Sequence, residues 1–222
     1  RDAATVILVR DPATDPAVLM GQRGATAAFM PDKYVFPGGA VDASDDDVAL
    51  AADLPEVCTN RLVTASNGPA PSVLATAAIR ELWEETGQCL GVQALWDPAP
   101  SSWAGFANRG LQPSAAALSF FFRALTPPGR PRRFDARFFL ADAAALATDP
   151  DDFTDAEAEL SHLHWVPVGD ARRYDLPFIT QVVLAEVAGR LPDLSPPDTV
   201  PYFRNDDEAL HFERLGGISP LG

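Results

Sequence analysis

Apolar positions along the chain change from unbroken runs to alternation to helical spacing, and each change marks an element. Residues 4–9 (Ala-Thr-Val-Ile-Leu-Val) form a near-continuous apolar run bounded by charge, which predicts a buried strand. The Asp- and Pro-rich residues 11–16 predict a turn, so residues 18–22 should return as a hairpin partner. A short strand is expected at 34–36, running into a tight Gly38-Gly39 loop. Short helices are expected around 47–52 and 55–64. The breaker-rich stretch 67–71 (Asn-Gly-Pro-Ala-Pro) precedes a helix over 72–85, with Ser72 as its N-cap. Residues 90–113 are aromatic and turn-rich and predict no single conformation. Strands are predicted at 120–125 and 133–140 around the Pro127-Pro128-Gly129 turn, another at 161–166, and a helix at 184–191. From residue 192 onward four prolines before Tyr202 predict an extended tail over the body. Mixed strands with a few helices predict one α+β domain over residues 1–222.

The helix over 72–85 carries the most specific chemistry, in Arg80-Glu81-Leu82-Trp83-Glu84-Glu85-Thr86-Gly87. Ala78, Ile79, Leu82 and Thr86 form the stripe that packs on a core, and Gly87 is suited to end the helix. Glu81, Glu84 and Glu85 fall on one side at spacings where like charges repel. Either that side is a solvated acidic face, or a hard divalent cation sits among the carboxylates, keeping waters for a phosphate substrate.

Upstream lies Phe36-Pro37-Gly38-Gly39-Ala40-Val41-Asp42. Taken together, the two segments resemble the Nudix box, G-x5-E-x7-R-E-U-x-E-E-x-G-U, where U is a bulky apolar residue. Gly39 matches the first glycine, and Arg80, Glu81, Leu82, Glu84, Glu85 and Gly87 match the second half. Asp45 stands where the pattern has its first glutamate, and Gln88 where it has its last apolar residue. Gly39 to Arg80 spans 41 positions where the pattern has 14, which leaves 27 residues inserted. That interruption, with Arg132-Arg133-Phe134-Asp135-Ala136-Arg137-Phe138-Phe139 further on, is similar to the branch that includes peroxisomal coenzyme A diphosphatases.

The resemblance implies an α/β/α Nudix sandwich with a mixed sheet, an insertion at about 43–70 and a C-terminal extension from about 192 to 222. It implies Mg²⁺ or Mn²⁺ held by Glu81, Glu84 and Glu85, with a backbone carbonyl of Gly38 or Gly39 as a further ligand. Glu81 then doubles as a base for the attacking water, and Arg80 orients a glutamate by ion pairing. Glu159, six residues before Trp165, is either a further acidic ligand or base, or a surface glutamate. Arg23, Arg133 and Arg137 are candidates for substrate phosphate, alongside the backbone of Gly38 and Gly39. The insertion is expected to form a lid or a homodimer contact.

Composition narrows the partners. The formal charge of −14 and pI near 4.4 argue against nucleic-acid backbones and anionic membranes, which call for basic surfaces. Cys58 and Cys89 show neither metal-ligand spacing nor a disulfide framework, so a reducing cytoplasm is the expected setting. No apolar stretch reaches membrane-spanning length, and no secretory leader is expected. Three functions follow from the resemblance. The first is hydrolysis of a pyrophosphate bond in coenzyme A or an acyl derivative. The second keeps that chemistry for ADP-ribose, NADH or a nucleoside triphosphate, and the third is a ligand sensor without turnover.

Overall fold

β1 (Asp2–Arg10) runs through the interior of the sheet, as its unbroken apolar sequence requires of a strand covered on both faces. The computed structural model describes residues 1–24, 30–64, 67–129, 132–206 and 209–216. β2 (Ala17–Arg23) returns antiparallel with Val9 opposite Val18, and β3 (Tyr34–Val35) pairs with it. Gly38 and Gly39 were expected in a loop. They lie instead in a short strand, β4 (Gly38–Ala40), antiparallel to β1 with Gly39 opposite Ala4.

The inserted segment begins with a 3-10 turn at Ala43–Asp47, where an α-helix was expected a few residues later, and continues into α1 (Glu56–Val63). Cys58 and Leu62 of α1 are buried in the core, and the Phe120 N–H donates to Cys58 Sγ at 3.2 Å. Within the insertion expected to form a lid or a homodimer contact, α1 is therefore packed into the core through one face. α2 (Pro71–Thr86) follows with Ala70 at its N-cap, so Ser72 is not the cap. Pro71 takes the first helical position, where a missing N–H leaves nothing unsatisfied and its fixed φ suits the helix.

Residues with no clear sequence signal fold as a separate hairpin, β5 (Gly91–Gln93) with β6 (Leu111–Pro113), around the short α3 (Ala104–Ala107). β7 (Ser119–Leu125), β8 (Asp135–Asp142) and β9 (Leu160–Pro167) match the expected strands. α4 (Phe178–Arg190) begins six residues earlier than expected. The tail also differs from its expected extended form, because β10 (Val200–Asp206) and β11 (Ala209–Leu215) make a hairpin and β10 runs parallel to β7.

Among the described residues, nine strands form one mixed sheet along the path β11-β10-β7-β8-β1-β2-β3, with β4 also on β1 and β9 also on β2. Successive residues of β1 point to opposite faces. Val6 and Leu8 meet Leu74, Ile79 and Leu82 of α2, while Ile7 and Val9 meet Val183, Leu184 and Val187 of α4. The result is the α/β/α sandwich. Leu82 is fully buried, and truncating such a side chain to alanine costs about 2–5 kcal/mol. No helix among the described residues is long and apolar enough to cross a membrane.

Candidate active site

β4 and α2 face each other across the front of the sheet, and their closest approach brings two glycines against two glutamates. The Gly38 N–H donates to Glu85 Oε2 at 2.7 Å. A Cβ on Gly39 would stand 2.5 Å from the Glu81 carboxylate, so only glycine lets the strand come this close. Helical spacing puts Glu81 and Glu85 one turn apart on the same side of α2.

Arg80 sits behind this pair with its guanidinium almost fully engaged. Nε donates to Asp45 Oδ1 at 2.8 Å, and Nη2 to Asp45 Oδ2 at 3.2 Å and to the Ala40 carbonyl at 2.9 Å. Nη1 donates to Glu81 Oε1 at 3.0 Å and to Glu84 Oε2 at 2.8 Å. Both Arg80 and Asp45 are buried. Asp45 also accepts from the Asp42 N–H at 2.8 Å, which fixes the 3-10 turn. One guanidinium thus bonds three carboxylates, Asp45, Glu81 and Glu84. Burial alone would lower its pKa, but the Asp45 hydrogen bond and the charges of Glu81, Asp45 and Glu84 hold it above the ordinary value.

The three box glutamates all favour the proton. Burial pushes Glu81 up to about 7, opposed by Arg80 and reinforced by Glu84 and Glu159. Burial also raises Glu84, against Arg80 and with Glu157 and Asp45. Glu85 lies well above the carboxylate range, again through burial first. The Gly38 N–H and Arg23 pull it down, and Glu81 and Glu159 push it up. Glu85 Oε1 is buried and has no hydrogen-bond partner among the described residues.

The other expected site residues divide into two groups. Glu159 joins the cluster: it accepts from Arg23 Nη2 at 2.9 Å, and its charge acts on both Glu81 and Glu85. Arg23 Nε is buried without a partner among the described residues. Arg133 precedes β8 and is exposed, donating to the Thr126 carbonyl at 3.2 Å. Arg137 corrects the expectation of a phosphate contact. It is 1% exposed and donates to Asp2 Oδ1 at 2.6 Å and to the Asp135 carbonyl at 2.7 Å, so its charge serves the sheet.

As it stands, no group of three Asp, Glu, His or Cys side chains among the described residues is arranged to hold a metal ion. Arg80 draws Glu81 Oε1 and Glu84 Oε2 towards itself. The donor set nevertheless suits a hard divalent cation. It is all carboxylate, with an orphaned buried oxygen on Glu85 and a neighbouring carboxylate that burial has pushed up to about 7.

Two residues that the sequence marked only as departures from the box, without a role, contribute to this region. Asp45 is the buried partner of Arg80, and its one sequence signal was its place six residues after Gly39. Gln88 is fully buried where the box pattern has an apolar residue, and that departure was its signal.

No protein-family model matches the chain. A curated Caenorhabditis elegans protein, provisionally named nudix hydrolase 7, is 30% identical over 179 residues, covering 75% of this chain and 51% of the relative. The chain thus spans about half the length of that relative. A solved NUDIX hydrolase from Alicyclobacillus acidocaldarius is 29% identical with a TM-score of 0.63, covering 85% of this chain and 91% of the other. The MutT protein of Methanosarcina mazei Go1 shares the fold at 12% identity and a TM-score of 0.50, over 85% and 92% of the two chains. Residues of both halves of the box meet between β4 and α2, and the chain has the Nudix fold, with sequence similarity to the two nudix hydrolases above.

Proposed function

We propose that the chain hydrolyses the pyrophosphate bond of a nucleoside diphosphate derivative with the help of Mg²⁺ or Mn²⁺. The observation that carries this reading is the buried Glu85 Oε1, without a partner among the described residues, beside Glu81, with Gly38 and Gly39 pressed against both. Burying carboxylates at repulsive spacing costs stability, and a sensor without turnover gives no reason to retain them. Glu81, Glu84 and Glu85 would hold the cation, with the Gly39 carbonyl as a further ligand. When bound, it neutralises charge on the diphosphate and acidifies a water.

The chain's own residues supply the rest. Arg80 holds Glu81 and Glu84 in place. Either Glu81 or Glu159 accepts the proton from the attacking water as the new oxygen–phosphorus bond forms and the bridging bond breaks. Arg23, whose buried Nε has no partner among the described residues, and the exposed Arg133 are the phosphate contacts.

Within that class, coenzyme A or an acyl derivative is the leading substrate, cleaved to a phosphopantetheine and adenosine 3′,5′-bisphosphate. The long interruption of the box supports it. ADP-ribose, NADH or a nucleoside triphosphate is the alternative. A panel of these compounds with Mg²⁺ and Mn²⁺, scored for the nucleotide released, tests both levels. Hydrolysis of coenzyme A above the others supports the finer reading. Wild type indistinguishable from Glu85→Gln on every compound would sink the enzymatic reading.

A further inference from the structure

The acidic stretch before β9 is fastened to the C-terminal end of α2 by a side chain that the box pattern does not call for. Gly87, with φ of 75°, ends α2 in the left-handed region, and the chain turns inward so that Gln88 is fully buried. Its amide is saturated across a wide sequence gap. Nε2 donates to the Asp149 carbonyl at 3.1 Å and to the Asp152 carbonyl at 2.7 Å, and Oε1 accepts from Thr148 Oγ1 at 2.7 Å. Thr148 Oγ1 in turn accepts from the Cys89 N–H, and the Ala147 N–H donates to the Cys89 carbonyl at 2.8 Å. Five residues beyond Asp152, the Glu157 N–H donates to the Glu84 carbonyl at 2.8 Å. Glu159 follows two residues later, close enough for its charge to act on Glu81 and Glu85.

A buried amide is tolerated only when hydrogen-bonded, and an apolar residue would fill the same space without that requirement. The site therefore selects glutamine for what it holds. Other side-chain ties of this stretch run from Trp165 to the Pro150 carbonyl, Arg10 to Asp151, Arg109 to Asp155 and Arg23 to Glu159, but none of these reaches the end of α2.

We propose that Gln88 is a positioning residue: it clamps the 148–152 turn to the end of α2 and so sets Glu159 beside Glu81 and Glu85. The kinetic consequence rests on the hydrolase reading above, whereas the clamp itself does not.

The test is a double-mutant cycle in the full chain with Gln88→Met and Glu159→Gln, read with amide hydrogen exchange over residues 148–160. Gln88→Met keeps length and removes the amide. It should lower kcat about ten- to a hundredfold with KM within about twofold, because misplacement affects the reacting geometry more than binding. In the Glu159→Gln background the same change should lower kcat less than about twofold, since its route is already removed. Amides at 148–160 should exchange about tenfold faster than in wild type.

Fully multiplicative losses in kcat, or unaltered exchange at 157–160, would overturn the proposal. Thr148→Val, which removes the two bonds of the hydroxyl but leaves both bonds from Gln88 Nε2, should give a smaller effect of the same kind and serves if Gln88→Met fails to fold. If wild type hydrolyses no compound in the panel, the functional reading fails, and exchange at 157–160 alone decides the clamp.

Discussion

Gly38 and Glu85 stand 47 positions apart in the chain and 2.7 Å apart in space, the glycine N–H donating to the glutamate. The other oxygen of Glu85 is buried and has no partner among the described residues. Glu85→Gln should therefore abolish most metal-dependent hydrolysis, a loss of about a hundredfold or more, while leaving the fold intact. Its melting temperature without metal at neutral pH should equal or exceed that of wild type, because a neutral amide replaces a buried ionisable carboxyl. A variant that melts lower and keeps its activity would contradict this account of the site.

The titration of the glutamates predicts how stability depends on pH. The folded value of Glu81, about 7, lies above its ordinary 4.5, and Glu84 and Glu85 shift the same way. The cation-free fold thus holds protons more tightly than the unfolded chain. This contribution to stability is full below 4.5 and lost as pH rises through about 7. Metal-free protein should melt at lower temperature near pH 8 than near pH 5, and Mg²⁺ should raise the melting temperature more at the higher pH. Calorimetry with chelator and with Mg²⁺ reads both; a metal-free melting temperature that rises over that range would refute the sign.

The two glycines should respond differently to alanine. In Gly39→Ala the new methyl meets the far end of a flexible side chain, the Glu81 carboxylate, so activity should fall about tenfold or more with little loss of stability. In Gly38→Ala it would stand 2.6 Å from the Ala4 carbonyl oxygen and Thr5 Cα, which are backbone of β1. Strand β4 must then shift, at a cost of about 1–3 kcal/mol. Denaturant melts beside initial rates separate the two effects.

Arg80→Ala should be the most destabilising change at the site, at about 3–5 kcal/mol, because it leaves Asp45 buried without its cation. Asp45→Asn in the same background should recover part of that loss. Equal stability of the single and double variants would show that the pair does not hold the inserted segment.

The sequence was most readable where the signal is local. The apolar run of β1, the hairpin turn after it and the carboxylate spacing on α2 each depend on neighbours within a few residues. What it did not disclose depends on partners far along the chain. Arg137 reads as a free basic residue until the fold brings Asp2 to it, 135 positions away. Asp45 has a place in the box pattern, but its partner Arg80 lies 35 positions away, and the pairing of β10 with β7 cannot be inferred from a proline-rich composition. Pro71 displaced Ser72 from the helix start because both satisfy the rules for that end, and only packing decides between them.

The Arg80–Asp45 pair also bears on how so long an interruption is tolerated within a catalytic motif. Lengthening the connection from 14 to 41 positions adds only about 1 kcal/mol of closure entropy, since that term grows with the logarithm of length. Asp45 is reached six residues after Gly39, before most of the added chain begins, and it ties the first strand of the site to the helix directly. Chain beyond that tie can change in length without altering the distance between glycine and glutamate. The motif is thus continuous in its contacts, though not in its sequence.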